Sequence, residues 1–178
     1  TRRGAHVRKR AVACHSALAG ALVAATIGLG SAPALAQSSA LPCPLSAPYR
    51  AGNPFARIIR GELPVSMIDE DTRVMAIVPL EWEHPGHALI IPKAAVRNLN
   101  DLTNEDALAV LHMAKRVAAA QQRALGSTGY SLQQNNARQQ DVCHFHVHVI
   151  PNTPAATRVH ATRAQMDAMA ARLRAALP

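Results

Sequence analysis

The sequence predicts an α+β domain, and three observations carry that prediction. Half of the 178 residues are apolar, yet aromatics make up only 3% and alanine is abundant. That composition suits helices packed on a sheet better than an all-β sandwich. Short apolar runs of strand length recur through the middle of the chain, at 72–78, 88–91 and 142–150. Two longer segments, after Thr103 and after Thr162, repeat apolar residues at helical spacing instead. The length is enough for one ordinary domain with a real core.

The first 36 residues read as a signal peptide. Arg2, Arg3, Arg8, Lys9 and Arg10 form a basic start, and no acid precedes Glu62. An apolar run follows from about residue 11 to 30, and Ala34-Leu35-Ala36 supplies the small-x-small pattern of a cleavage site. The alternative is an uncleaved anchor, since the run nearly spans a bilayer. His15 and the many glycines and alanines make it a poor permanent span. A periplasmic or secreted protein with no stable membrane anchor after cleavage is expected. Thr1-Arg2-Arg3 lacks the rest of a twin-arginine pattern, which favours the general secretory route. The net charge of +8 mostly belongs to this leader: beyond it, 14 basic side chains face 11 acidic ones. No basic stripe interleaved with aromatics survives, so no nucleic-acid partner is expected. Cys14 leaves with the leader. Cys43 and Cys143 remain and could pair in an oxidising compartment. The alternative is a buried Cys143 with a free Cys43, and sequence leaves both open.

Residues 37–52 hold three prolines with several serines and alanines and read as an extended linker. Asn53 and Pro54 open a short helix as N-cap and first position, with Phe55, Ile58 and Ile59 on one face. Gly61 and Pro64 end it. Strands are expected at 65–69 and 72–78 around the acidic turn Asp69-Glu70-Asp71, followed by a loop over 79–86 and a buried strand at 88–91. Thr103 with Asp106 approximates a capping box for a long helix. Its apolar face is Ala107, Val110, Leu111, Ala114, Val117, Ala118 and Leu125, and Gly126 is its stop. His112 reads as a packed or boundary histidine. A strand at 130–134 and a polar loop at 135–141 lead into the most informative stretch. A last helix, capped by Thr162 and Gln165, carries Met166, Met169, Leu173 and Leu177 on one face.

That stretch is Val142-Cys143-His144-Phe145-His146-Val147-His148-Val149-Ile150-Pro151. On an extended strand its three histidines project to one face and Cys143, Phe145, Val147 and Val149 to the other. Metal binding is one reading, because two histidines at i and i+2 can share a zinc. His144 and His148 are about 13 Å apart along a strand, so one ion cannot readily take all three. A third ligand would come from His87 or Asp141. Catalysis is a second reading. Neutral imidazole is a nucleophile near neutral pH, and flanking imidazoles can donate to phosphate oxygens. The middle residue is then the natural attacker, with His148 or His87 supplying the leaving-group proton. A row without a role is the third reading.

The same residues resemble the histidine triad (HIT) family of nucleotide hydrolases and transferases. His144-Phe145-His146-Val147-His148 matches the His-x-His-x-His signature. Two further stretches, 55–64 (Phe55 to Pro64) and 85–93 (Pro85 to Lys93), match in the same order. The resemblance covers about residues 53–152, the triad domain, leaving 153–178 as a C-terminal loop and helix. It implies a HIT-like fold, a mainly antiparallel sheet with a long helix after the central strands and a C-terminal helix, often as a homodimer. It implies cleavage of a nucleoside phosphoramidate or phosphoanhydride at the α-phosphorus through a covalent nucleotidyl-histidine, with no metal or other cofactor. His146 matches the nucleophile, His144 and His148 its flanking partners, and His87 a fourth histidine. Phe55, Ile58 and Leu80 match residues that hold the base. Gln140 matches a phosphate-contacting glutamine, and Asn135 or Asn136 the asparagine of the preceding loop. The partner is therefore expected to be a small-molecule nucleotide or other phosphate ester.

The chain also departs from the family pattern. Pro79 stands where an acidic residue usually meets the ribose hydroxyls, with Glu81 and Glu83 as possible substitutes. The loop over 135–141 is shorter and lacks a glycine, and Asp141 replaces a common hydroxyl residue. An altered substrate is expected. A non-catalytic periplasmic module that binds metal or nucleotide is the alternative on the same fold.

Overall fold

Asn53 opens the first helix as its neighbours predict: its side chain accepts from the Ala56 N–H, and Pro54 occupies the first turn of α1 (Pro54–Ile59). The fold is known from a computed structural model that describes residues 43–154 and 159–178. The proposed leader, 1–36, and the first part of the linker lie outside the described residues.

Five strands form one sheet: β1 (Ser66–Glu70), β2 (Val74–Val78), β4 (Ala88–Pro92), β5 (Tyr130–Gln134) and β6 (Val147–Pro151). Their order is β1-β2-β4-β6-β5, and every neighbouring pair is antiparallel. The expected α+β class and mainly antiparallel sheet are therefore observed. A two-residue pair, β3 (Glu81–Trp82) with β7 (Val159–His160), is an addition that sequence placed in loops. Segments this short carry no readable period.

Alternation along the strands sorts side chains to two faces. Ile68, Val74, Ala76, Val78, Ala88, Ile90, Val147 and Val149 pack against helices α2 (Asn104–Leu125) and α3 (Arg163–Ala175). Met75, Ile77, Leu89 and Ile91 face the other way, where Phe55 and Ile58 of α1 cover them. The helix layer thus protects one face, and the short α1 leaves part of the other open.

Both long helices are capped as expected. Thr103 Oγ1 accepts from the Asp106 N–H at 3.1 Å, and Thr162 with Gln165 forms a full capping box. Gly126 closes α2 at φ 67°, a conformation that costs glycine little. The buried face of α2 differs in detail. Met113 is buried, whereas Leu111 is 51% exposed, and His112 is exposed rather than packed. The helix is rotated so that Val110, Met113, Ala114 and Val117 meet the sheet, and Leu111 lies beside the edge strand β5.

Two contacts hold the sheet where the histidines emerge. Gln121 of α2 is fully buried, and its amide donates to the carbonyls of Gly86 and Val149 at 2.9 and 3.0 Å. It ties the start of β4 to β6. Gly86 has φ 92°, a conformation that other residues adopt only with strain, and a Cβ there would also force the Leu125 side chain, 2.2 Å away at Cδ1, to move.

The segment read as linker is, from Cys43 onward, a strap. Cys43 and Cys143 are joined in a disulfide, with Cα atoms 5.3 Å apart. Cys43 also forms an isolated antiparallel bridge with Ala137. Asn98 and Arg97 donate to the Leu45 and Ala47 carbonyls, and Arg60 donates to Ala51 at 3.0 Å.

Candidate active site

The histidine stretch is extended over only half its length. β6 begins at Val147, so His144 and His146 precede the ladder rather than lie in it. The cause is local: the His144 N–H turns back to the Val142 carbonyl at 2.8 Å, and the Phe145 N–H pairs with Val96. The expected alternation still holds from Phe145 onward. Phe145, Val147 and Val149 enter the helix-side core. The histidines share the other face, beside Phe55.

Each imidazole has a defined partner. His144 is fully buried. Its Nε2 lies 2.8 Å from the Pro92 carbonyl, and its Nδ1 lies 2.7 Å from the Tyr49 hydroxyl. A carbonyl only accepts, so Nε2 carries the hydrogen and Nδ1 accepts from Tyr49 in the neutral ring. His146 Nδ1 donates to the His144 carbonyl at 2.8 Å. Its Nε2 therefore holds the free lone pair of the neutral ring. Phe55 meets the His146 ring edge-on at 5.0 Å and the His144 ring at 6.1 Å. His148 lies 5.0 Å from His146 and 5.1 Å from His87, ring centre to ring centre. His87 Nε2 and His148 Nδ1 are 2.9 Å apart, so one hydrogen lies between them. All four histidines named from sequence therefore form one cluster.

Their surroundings keep them neutral. Burial, then the neighbouring His148, pushes His87 down to about 3, against an opposing hydrogen bond to the Glu81 backbone. Burial, then His146, lowers His148 to about 4, with Asp141 opposing. His144 and His146 are also lowered chiefly by burial. Uncharged rings are what a nucleophilic imidazole requires.

The other expected site residues fare differently. Phe55 is buried against the triad and supports the rings. Ile58 packs beside it. Leu80 is 57% exposed on a turn closed by the Trp82 indole, which donates to the Pro79 carbonyl at 2.8 Å. Gln140 is engaged within the protein. It is buried at 1% exposure, and its amide donates to the Arg97 and Val142 carbonyls, so those hydrogens do not reach a phosphate. Asn136 is similarly engaged: its Oδ1 accepts from the Leu99 N–H at 3.1 Å, and its amide donates to Gln134. Asn135 accepts from the Gln133 amide at 3.2 Å. Both asparagines tie the loop to β5 and residue 99. Ala137, in this glycine-free loop, has φ 54°, a region most side chains avoid. Tyr49 and Gln121 were not anticipated. Only the Cys43–Cys143 pairing, had it been settled, would have placed Tyr49 near His144.

The HIT domain model matches residues 60–155, more than half of the chain. The chain belongs to the HIT family. This HIT protein is 33% identical over 103 residues to the purine nucleoside phosphoramidase of Escherichia coli, covering 56% of this chain and 87% of that one. It is 32% identical over 99 residues to the adenosine 5'-monophosphoramidase of Schizosaccharomyces pombe, covering 54% of this chain and 71% of that one. Among solved structures, a Hit-like protein from Bartonella henselae superposes with a TM-score of 0.70 at 32% identity. The match covers 74% of this chain and all of that one. The HIT-like fold expected from sequence is thus the fold observed. Among the described residues of this HIT protein, no group of three His, Cys, Asp or Glu side chains is arranged to hold a metal ion.

Proposed function

We propose that this HIT protein is an extracytoplasmic hydrolase of nucleoside phosphoramidates or phosphoanhydrides, acting at the α-phosphorus through a covalent nucleotidyl-histidine on His146. The observation that carries the reading is the His146 ring, neutral and held by its Nδ1–H on the His144 carbonyl, with Nε2 bare. That is the tautomer an in-line attack needs. Two relatives described as phosphoramidases support the substrate class. The disulfide supports an oxidising compartment.

The reaction has two displacements. His146 Nε2 forms a bond to phosphorus as the bond to the leaving nitrogen or oxygen breaks, and that atom takes the electron pair. It also takes a proton from the His148–His87 pair. A bound phosphate is an anion, so it opposes the burial that keeps this pair neutral and favours the extra proton there. Water then attacks the nucleotidyl-histidine, returns a proton to the pair, and restores the neutral imidazole. The Pro92 carbonyl and Phe55 hold the rings in place while this happens. The Gln140 amide hydrogens are taken by the Arg97 and Val142 carbonyls, so we assign phosphate donation to the His148 side of the cluster.

The test is turnover of a panel of adenosine phosphoramidates and dinucleoside polyphosphates by the mature chain. His146→Ala should lower kcat at least a thousandfold, since it removes the bond-forming atom. Absence of wild-type turnover across the panel, together with tight AMP binding, would instead identify a nucleotide-binding module.

A further inference from the structure

We propose that Tyr49 is a positioning residue for this reaction, delivered to His144 by a disulfide-tethered strap. This inference rests on the function proposed above. Tyr49 lies in a segment whose composition reads as linker, 95 positions from its partner. It is nevertheless fixed at both ends. On its C-terminal side, Asn53 caps α1, and its amide donates to the Arg50 carbonyl at 2.8 Å. On its N-terminal side, Cys43 is bonded to Cys143, the residue immediately before His144. Between these points Leu45 and Ala47 accept from Asn98 and Arg97. The strap therefore ends at the site and is anchored on the site's own backbone.

The contact has a specific chemical consequence. With Pro92 accepting from Nε2, the neutral His144 ring has a lone pair at Nδ1 that is buried from water. Without a donor this lone pair is an unsatisfied acceptor, which is costly in a buried site. The Tyr49 hydroxyl is that donor, at 2.7 Å, and its ring lies at 64° to the imidazole. His144 is thereby held on three sides, by Pro92, Tyr49 and Phe55. Its carbonyl in turn fixes the His146 Nδ1–H. Tyr49 thus acts on the nucleophile through His144, without touching the reacting atoms.

The experiment compares the mature wild-type chain, Tyr49→Phe and the double variant Cys43→Ser/Cys143→Ser. Kinetics use an adenosine phosphoramidate, and nitrogen-15 NMR reads the histidine side chains. Tyr49→Phe keeps the ring and loses only the hydroxyl. It should lower kcat about tenfold, the effect of one buried hydrogen bond, with KM within about twofold. The His144 Nδ1 resonance should shift, and the melting temperature should fall by only a few degrees, about what one unsatisfied buried acceptor costs. The double variant should lower kcat in the same sense and partially shift the same resonance. Unchanged kcat in Tyr49→Phe overturns the proposal, as does a loss confined to KM. If the wild-type chain is inert, the functional reading fails by itself. An unmoved His144 resonance in Tyr49→Phe overturns the contact whether or not the wild type turns over.

Discussion

At the residue scale, one arrangement governs the chemistry: four imidazoles pack together, and all are held uncharged. His87 at about 3 and His148 at about 4 lie well below the ordinary imidazole value. A histidine lowered on folding favours the neutral form in the native state. Its contribution to stability is complete above the unfolded value of about 6.5 and is lost as pH falls toward the folded values. The melting temperature should therefore be flat from pH 8 to about 6.5 and decline steadily below that. His87→Gln should flatten part of that decline, measured by thermal denaturation across the pH series. An identical decline in wild type and variant would show that carboxylates alone set it. The four histidines named from sequence lie together, three because they share one short stretch and His87 because β4 pairs with β6. Sequence did not foresee that Gln140 points inward, since a side chain's direction in a loop depends on the loop's length and on which carbonyls lie within reach.

At the scale of elements, the strap and the histidine strand belong together. The reading of 37–52 as a linker rested on proline and serine content, which reports the lack of a helix or strand period and says nothing about tethering. The disulfide reverses that reading from Cys43 onward. It closes a loop of about 100 residues. Crosslinks of that reach stabilise by about 2–5 kcal/mol, chiefly through the unfolded chain. Cys43→Ser/Cys143→Ser should lower the unfolding free energy by an amount in that range in urea titration, and a reducing agent should do the same to the wild-type chain. No change in either would mean that the strap is held by its hydrogen bonds alone. The capped helices and the buried strands at 74–78 and 88–92 were legible because caps and apolar periods are local signals. β3 and β7 were not, because each is two residues long and exists only through its partner.

At the scale of the whole molecule, one side of the sheet is unfinished. β5 is an edge strand exposed along its length, and Leu99, Leu108, Leu111, Tyr130 and Leu132 are all more than 40% exposed. Leu99, Leu111 and Leu132 line an apolar groove of about 250 Å³. An edge with an apolar border suits a partner strand, and the homodimer that the family resemblance implies would use it by pairing β5 with β5. Light scattering should give twice the mass of the mature chain, and Leu111→Glu/Leu132→Glu should return it to one. A monomeric wild-type protein at micromolar concentration would rule this out. The resemblance pointed to the family, and it implied a homodimer only as a common state of that family. Sequence could not locate the surface, because Leu111 was assigned to the buried face.

The central claim is that His146 becomes covalently attached to a nucleotide during turnover. Mass spectrometry of the mature chain, quenched in acid-free denaturant within the first turnovers of an adenosine phosphoramidate, tests it most directly. The account predicts an added adenylyl mass mapped to the peptide that contains His146, and its absence from His146→Ala. Turnover by the wild-type chain with no adduct on His146, or an adduct mapped to another histidine, would contradict it.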